Sequence, residues 1–550
     1  MKPNIYEYNN RINTIRKMRK TKLFLCIAAL LMFAAAAPAM NPFLPLWEHI
    51  PDGEPYIFDD PDNPGKKRVY VYGSHDMLRN MYCGTDLVVW SAPVDSLDCW
   101  RYDGVILEVR NNGAGKPLHG DGRGDVLYAP DVTERTLPDG RKEYYLYPNN
   151  QGGGRNGMVA RSNRPDGPFE VINWNAEKPD ETVGVLAFDP AVFIDGDGRV
   201  YGYWGFGRSY AAELDPTTMA TVKPGTETVT DMVSGFEHEG VFRFFEASSI
   251  RKIEDKYVFI YSRMSEDGEW GLPRTNYTLA YAYSDSPLGP FTYGGTIIDA
   301  RGRDTDADGR TIPTATPMGN THGSILNING RWWVFYHRQS GTDEFARQAM
   351  VAPIEVSVVP GRGGKVTITE GEYTSEGFET AGLNPLRKYP AAIASHYTGP
   401  APVTQKYPNI YYTGPYVQPT YITDHAVANP YDLKINMNPV VNNTDGSILG
   451  YKYFNFDALA GLSKAELVLD IIPGDADGTI SIYAEAPWKG SPRPIGKFTL
   501  KSGGKTPKTI RAALKGIKDL RGKHPLYLVF TSPEKGKSLC TLHYLQFKGR

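Results

Sequence analysis

Five stretches of this chain repeat one design: a polar residue, a strand-like run, a tight polar turn, then a second run rich in aromatic residues. Glu54 opens EPYIF, followed after a proline-rich turn by RVYVYGS. Asp131 stands in APDVTERTLPDGRKEYYLYPN, Asp189 in FDPAVFIDGDGRVYGYWG, Glu246 in FFEASSIRKIEDKYVFIYS and His322 in THGSILNINGRWWVFYH. Between the hairpins a second element recurs: WSAPVDSLDCW at 90–100, ARSNRPDGPFEV at 160–171 and AYSDSPLGPFTY at 282–293. It has the texture of an outer strand. A β unit of this length cannot bury its apolar faces alone, and radial stacking of such units solves that problem. The repeats predict an all-β chain with a five-bladed β-propeller over 41–360. A two-sheet sandwich would leave five matched hairpins unexplained.

In a propeller the first strand of each hairpin lines the central channel, and its first polar residue stands at one rim. Four of the five such residues are acidic: Glu54, Asp131, Asp189 and Glu246. One acidic residue at a strand end is an ordinary solvated cap. Four that converge on one axis repel one another, an arrangement expected where carboxyl groups are tuned for chemistry. Glycoside hydrolysis needs such a set: one carboxylic acid to protonate the departing oxygen and one carboxylate to activate water. The sequence has no G-x-S-x-G, Walker loop or H-E-x-x-H, and no GxGxxG after a strand.

Composition narrows the class. The 550 residues are 41% hydrophobic with a net charge of −2, which gives no bias toward nucleic acid. Gly 57, Pro 42 and Tyr 35 suit many short strands and turns. MRKTK, then LFLCIAALLMFAAAA, then Ala37-Pro38-Ala39 reads as an export signal over 1–39, with 1–17 as an extension ahead of Met18. The expected location is periplasmic or secreted, and no later run is long enough to span a membrane. An oxidising compartment would permit a Cys83–Cys99 disulfide, although Cys83, Cys99 and Cys540 make an odd count. No metal-ligand cluster of Cys and His is evident.

The blade pattern resembles glycoside hydrolase family 43. The stretches NPFLPLWEHIPDGEPYIF, VYGSHD, YAPDV, FDPAVFIDGDGRVYGYWG, FFEASSIRKI and THGSI carry the resemblance over most of 41–358. It implies an inverting glycosidase with three carboxylates: Glu246 as general acid, Asp131 as the residue that raises its pKa, and a first-blade base. The family usually shows Asp-Pro at the base position, whereas this chain has Glu54-Pro55, with Asp52 two residues earlier. Glu54 is favoured by repeat register, and Asp52 has the shorter side chain usual for the role. His75 and Asp76 are candidate supports for that carboxylate. The resemblance also makes Asp189, His322 and Arg347 candidate substrate-binding residues. His322 matches a histidine that in some members helps hold calcium through water, although the chemistry requires no cofactor. Trp90, Trp204 and Phe245 lie near motif positions and are candidate sugar platforms.

Residues 361–430 read as linker or irregular structure, and 431–550 as a β-sandwich. GYKYFNFD, GTISIYAE, IGKFTL and LRGKHPLYLVF resemble carbohydrate-binding module family 6, with Tyr451 and Trp488 as candidate glycan contacts. The expected partner is plant cell-wall polysaccharide or oligosaccharide. The expected activity is release of pentose units, foremost by an α-L-arabinofuranosidase, next a β-xylosidase. An exo-galactosidase, an arabinanase and a non-catalytic glycan-binding propeller are the alternatives. Exo action is expected because the loop from Gly104 to Asp125 and the insert from Gly294 to Asn320 can close a cleft into a pocket.

Overall fold

The computed structural model describes residues 40–549 apart from 109–124, 151–153, 317 and 463. The expected export signal, and most of the loop from Gly104 to Asp125, lie outside the described residues. Four hairpin repeats build four-stranded antiparallel sheets whose strands lie in sequence order. The first blade comprises Glu54–Asp59, Lys67–Tyr72, Asp86–Pro93 and Arg101–Glu108. The second starts at Leu127–Thr136, the third at Ala191–Ile194 and the fourth at Phe244–Ile253. The fifth has three strands among the described residues: Ser324–Ile328, Arg331–Gln339 and Arg347–Ile354. A parallel bridge from Gly53 to Gly323 joins the first blade to the fifth and closes the ring. The N-terminal segment seals the closure: Asn41 donates to the Val351 carbonyl at 2.7 Å and accepts from the Val351 amide at 3.0 Å.

The aromatic second strands supply the glue between blades. Phe58, Tyr70, Tyr72, Val132, Tyr144 and Leu146 form one buried cluster between the first two blades. Tyr201, Tyr203, Phe244, Phe259 and Tyr261 form another at the third and fourth. Each such side chain contributes roughly 1.5–3 kcal/mol relative to an exposed one. The strand pleat thus sends aromatic residues between blades and leaves the rim residues to the channel.

Regularity stops at that rim. Register shifts interrupt Phe244–Ile253 between Phe244 and Ser249, and Leu127–Thr136 between Tyr128 and Asp131. Asp52, Asp189 and Ala247 hold positive φ of 59°, 42° and 70°. Each costs on the order of 1–3 kcal/mol in a non-glycine residue, and such strain persists where surrounding structure fixes it. Bulges re-aim side chains, and here they change the depth at which repeat-matched residues enter the channel.

The C-terminal part is a two-sheet β-sandwich. One sheet runs His396–Thr398, Ile448–Asn455, Lys523–Thr531, Gly478–Tyr483, Gly496–Leu500. The other runs Tyr416–Val417, Val440–Asn443, Cys540–Gly549, Ala465–Pro473, Lys508–Ala513, with Tyr389–Pro390 also paired to Cys540–Gly549. The stretch 361–430 is therefore not all linker: three of its strands belong to the sandwich, their low apolar periodicity having hidden them. The propeller and sandwich share one core, in which Tyr277, Val334 and Tyr336 pack in a cluster with Tyr389, Ile393, Tyr397 and Phe454. Arg338 donates to the carbonyls of Ala392 and Ala394, and Tyr397 to that of Thr314. Tyr451 is fully buried and so is not a glycan contact. Trp488 donates to the Thr305 carbonyl at 2.8 Å and packs against His396 and Tyr527, which makes it an interface residue. Cys83, Cys99 and Cys540 are free thiols, so the Cys83–Cys99 disulfide is not formed. Among the described residues no helix is long and apolar enough to cross a membrane.

Candidate active site

The ends of the first and last blades meet at Asp52. Its Oδ1 accepts from Arg347 Nη1 at 3.0 Å and its Oδ2 from the Ser74 hydroxyl at 2.6 Å. Arg347 clamps Asp76 at the same time, with Nε at 2.9 Å from Oδ2 and Nη2 at 2.8 Å from Oδ1. The Asp52 amide donates to Nδ1 of His337, whose Nε2 donates to the Asn320 carbonyl at 2.7 Å. That pattern makes His337 a neutral imidazole, and burial pushes it down to about 3. Burial alone would raise the Asp52 carboxyl. Arg347 and the Ser74 hydroxyl act against that, and the carboxyl lies below the ordinary carboxylate value. Asp52 is an ionised carboxylate with fixed orientation.

Glu246 behaves oppositely. It is half-buried on the first strand of the fourth blade, and burial followed by the charges of Asp189 and Asp52 holds it well above the usual range. Asp189 is locked by Asn149, which donates to Oδ1 at 3.0 Å, and by the Ala247 amide, which donates to Oδ2 at 3.1 Å. His322 Nδ1 lies 3.7 Å from Asp189 Oδ2. Burial pushes Asp189 up to about 6 against the opposing pull of His322. The Ala247 contact explains the positive φ beside Glu246: the turned backbone aims its amide at the neighbouring blade's carboxylate.

Glu54 and Asp131 form a separate group. Arg251 donates from Nη2 to Glu54 Oε2 at 2.8 Å and lies 4.6 Å from the Tyr56 ring centroid. Tyr56 donates to Asp131 Oδ1 at 2.5 Å, and the Val192 amide to Oδ2 at 2.6 Å. Burial, then the charge of Glu54, pushes Asp131 up to about 7. One expectation is corrected here, and one choice that the sequence left open is narrowed. The acidic neighbour that raises Glu246 is Asp189, not Asp131. The first-blade carboxylate in that same field is Asp52, not Glu54, which is spent on Arg251. The positive φ at Asp52 and the bulge before Asp131 displace the registers that repeat matching assumed.

The other candidates divide. Arg347 is buried and serves Asp52 and Asp76 rather than the surface. Phe245 lines a cavity of about 1190 Å³ together with Glu246, Tyr82 and Glu344. Parts of the insert from Gly294 to Asn320 line it too. Trp90 is fully buried, with its indole donating to Glu48 at 2.9 Å, and Trp204 stacks on Tyr210 inside a blade core. Neither is a sugar platform. Sequence reasoning missed Ser74, His337, Tyr82, Arg251 and Glu344. Only the polar residues beside YGSHD and the aromatic strand WWVFYH offered a signal.

Histidine 75 belongs to a buried ionic knot rather than to the carboxylate site. Its Nε2 meets Glu48 Oε1 at 3.2 Å and its Nδ1 meets Asp86 Oδ1 at 2.7 Å, while His425 lies 3.3 Å from Glu48 Oε2. The ligand-type atoms of Glu48, His75 and His425 lie within 4.8 Å of one another. Each is already engaged, and the two carboxylates overcome burial to raise His75 to about 10, a protonated clamp. Calcium takes six to eight oxygen ligands. Beside His322 the near carboxylate is Asp189, already engaged by Asn149 and Ala247, while the buried Nε2 of His322 has no protein partner. That set does not fit a calcium ion held directly by protein groups.

Comparison with known proteins shows the family. A xylosidase/arabinosidase of Thermoclostridium stercorarium is 38% identical over 382 residues, covering 64% of this chain and 71% of that protein. An arabinoxylan arabinofuranohydrolase of Paenibacillus polymyxa is 24% identical over 507 residues, covering 89% of this chain and 70% of that one. Among solved structures, an arabinoxylan arabinofuranohydrolase from Bacillus subtilis, in complex with cellotetraose, gives a TM-score of 0.43 at 20% identity, covering 93% and 98% of the two chains. The family model of glycosyl hydrolases family 43 matches residues 66–357. That match runs from just before the second strand of the first blade to the end of the fifth and takes in the carboxylates Asp189 and Glu246, and the chain therefore belongs to glycosyl hydrolases family 43 and is a glycoside hydrolase.

Proposed function

We propose that this enzyme removes terminal pentose units from plant polysaccharide with inversion, foremost as an α-L-arabinofuranosidase and next as a β-xylosidase. The observation that carries the reading is the opposed tuning of two carboxyls in one field: Asp52 held ionised by Arg347, and Glu246 held protonated by burial and Asp189. The similarity to a xylosidase/arabinosidase and an arabinoxylan arabinofuranohydrolase supports the sugar class.

In the proposed reaction the Asp52 carboxylate takes a proton from water as the water oxygen attacks the anomeric carbon. The glycosidic C–O bond breaks on the opposite face, and Glu246 gives its proton to the departing oxygen. Asp189 keeps Glu246 loaded by disfavouring its anion. Arg347 and Ser74 fix the direction of the Asp52 oxygens, where misplacement on the order of 1 Å costs about 100-fold in rate. Calcium is proposed only as an accessory reached through water at His322, with no step depending on it. Export to the periplasm or medium, and glycan binding by the loops of the sandwich, are parts of the same reading.

The test is hydrolysis of aryl α-L-arabinofuranoside and aryl β-D-xyloside, with the anomer of the released sugar followed by NMR. Release of an inverted pentose, lost in Asp52→Asn and, in Glu246→Gln, lost far more on an oligosaccharide than on the aryl glycosides, supports it. Silence on both compounds and on a panel of plant polysaccharides would leave a glycan-binding protein.

A further inference from the structure

Of Asp52, Asp189 and Glu246, only Glu246 lines the large cavity. A general acid protonates the departing oxygen, so the space beyond Glu246 belongs to the leaving group. From Phe245 and Glu246 the cavity passes Leu272–Asn276 on the fourth blade and ends against Tyr397–Val403, Gln405 and Tyr407, which lie outside the propeller. Its volume, about 1190 Å³, exceeds the roughly 300–1,000 Å³ that hold drug-sized ligands. A single aglycone sugar would leave much of it empty.

The two walls carry aromatic faces. Phe206 is 53% exposed on the propeller side and is braced by Phe188 and Phe245, each with ring centroids 5.0 Å away. Tyr407 is 66% exposed on the opposite side. It sits at the turn of a hairpin formed by Thr404–Lys406 and Asn409–Tyr411. This hairpin is pinned to the propeller: the amide of buried Ile410 donates to the Thr342 carbonyl at 2.9 Å, and Asp343 bridges Asn409. Behind it, a Cβ built on Gly399 would meet Gly414 Cα at 2.7 Å, so the supporting segments are in close contact. Arg274, Asn276 and Gln405 add hydrogen-bonding groups to the same lining. Rigid aromatic faces with scattered polar groups and no concentrated charge suit neutral, polyhydroxylated rings.

We infer that the leaving-group side is a composite site for an oligosaccharide of several sugar units, with Tyr407 of the C-terminal region stacking on one ring and Phe206 of the propeller on another. This rests on Glu246 as the acid. It makes the C-terminal region a direct part of substrate recognition.

The experiment uses the full chain in two arms. In the first, the specificity constant for an arabinose-substituted xylo-oligosaccharide is divided by that for the methyl pentoside; Tyr407→Ala is expected to lower this ratio about tenfold, while Tyr407→Phe retains it. In the second, binding of the oligosaccharide to Glu246→Gln is measured by calorimetry with and without Tyr407→Ala, and weakening of about tenfold is expected. Unfolding midpoints show whether the variants are folded. An unchanged ratio and unchanged binding in folded Tyr407→Ala overturn the inference. Absence of turnover in the wild type, with binding still weakened by Tyr407→Ala, would instead sink the hydrolase reading and leave the composite site standing.

Discussion

Arg347 donates from Nη1 to Asp52 Oδ1 at 3.0 Å while its remaining guanidinium edge grips both oxygens of Asp76. One buried cation thus serves two carboxylates, and a lysine, with a single point of charge, cannot reproduce the fork. Arg347→Lys is expected to loosen Asp52 and raise its pKa. Asp52 must be ionised to act, so the acid limb of kcat/KM moves to higher pH, and activity falls at least about tenfold. A pH–rate profile checks this; an acid limb that stays in place while activity is lost would assign Arg347 to substrate binding alone.

The proximity of Asp189 to Glu246 makes a prediction of opposite sign. Asp189→Asn removes a negative charge that disfavours the Glu246 anion. The Glu246 pKa falls, the acid form is lost at lower pH, and the alkaline limb of kcat/KM moves down. Asp131→Asn, remote from that field, is expected to move this limb less. Glu246→Gln removes the proton itself and is expected to cost about 10²–10⁴-fold on an oligosaccharide, but much less on an aryl glycoside whose phenolate leaves unaided. Comparing the two substrate types in one variant measures the acid's contribution.

The salt bridge between Glu54 and Arg251 predicts a structural outcome. Glu54→Gln leaves a largely buried guanidinium without its carboxylate, a change that typically costs about 3–5 kcal/mol. Asp52→Asn is expected to reverse the emphasis, with catalysis lost by about 10²–10⁴-fold and stability less affected. Unfolding curves beside kcat/KM for both variants distinguish them. A catalytic collapse in folded Glu54→Gln, with Asp52→Asn active, would return the base to Glu54.

These contrasts show where the sequence is readable. Hairpins such as FDPAVFIDGDGRVYGYWG encode strand, turn and aromatic strand locally, so the blades follow from pattern alone. Which carboxylate faces which is a question of depth in the channel. Depth depends on the positive φ of Asp52 and Asp189 and on the bulges near Asp131 and Glu246, and none of these leaves a clear mark in residue identity. Matching Glu54 with Glu246 by repeat position therefore placed the right residues in the channel and the wrong ones together. Trp90 and Trp204 failed for a related reason: a strand's neighbours on either side of the pleat are equivalent in sequence, and only packing tells channel from blade core. Tyr389–Pro390 and His396–Thr398 pair with segments at least 50 residues away, beyond what local alternation can signal.

Asp131 gives the last prediction, which concerns stability. Burial and Glu54 raise its carboxyl to about 7 in the folded chain, against 3.8 for the ordinary group. Between these values the folded state holds a proton that the unfolded state has released. Stability then falls as pH rises through that window and levels off above it. Asp189, raised to about 6, contributes with the same sign over a narrower range. Asp52 does not oppose them there: its pKa is lowered, so its contribution is present above 3.8 and is lost only as pH falls below that value. The difference in unfolding free energy between the wild type and Asp131→Asn should therefore change by a few kcal/mol in order of magnitude from pH 4.5 to 8, since titrations common to both, such as that of the neutral His337, cancel. In Asp131→Asn the slope should flatten, since an amide can still accept from the Val192 amide and has no proton to release. A slope unchanged in that variant would mean that Arg251 holds Asp131 ionised in the folded protein, and that the Glu54–Arg251–Asp131 group is a stable ion cluster across the whole range.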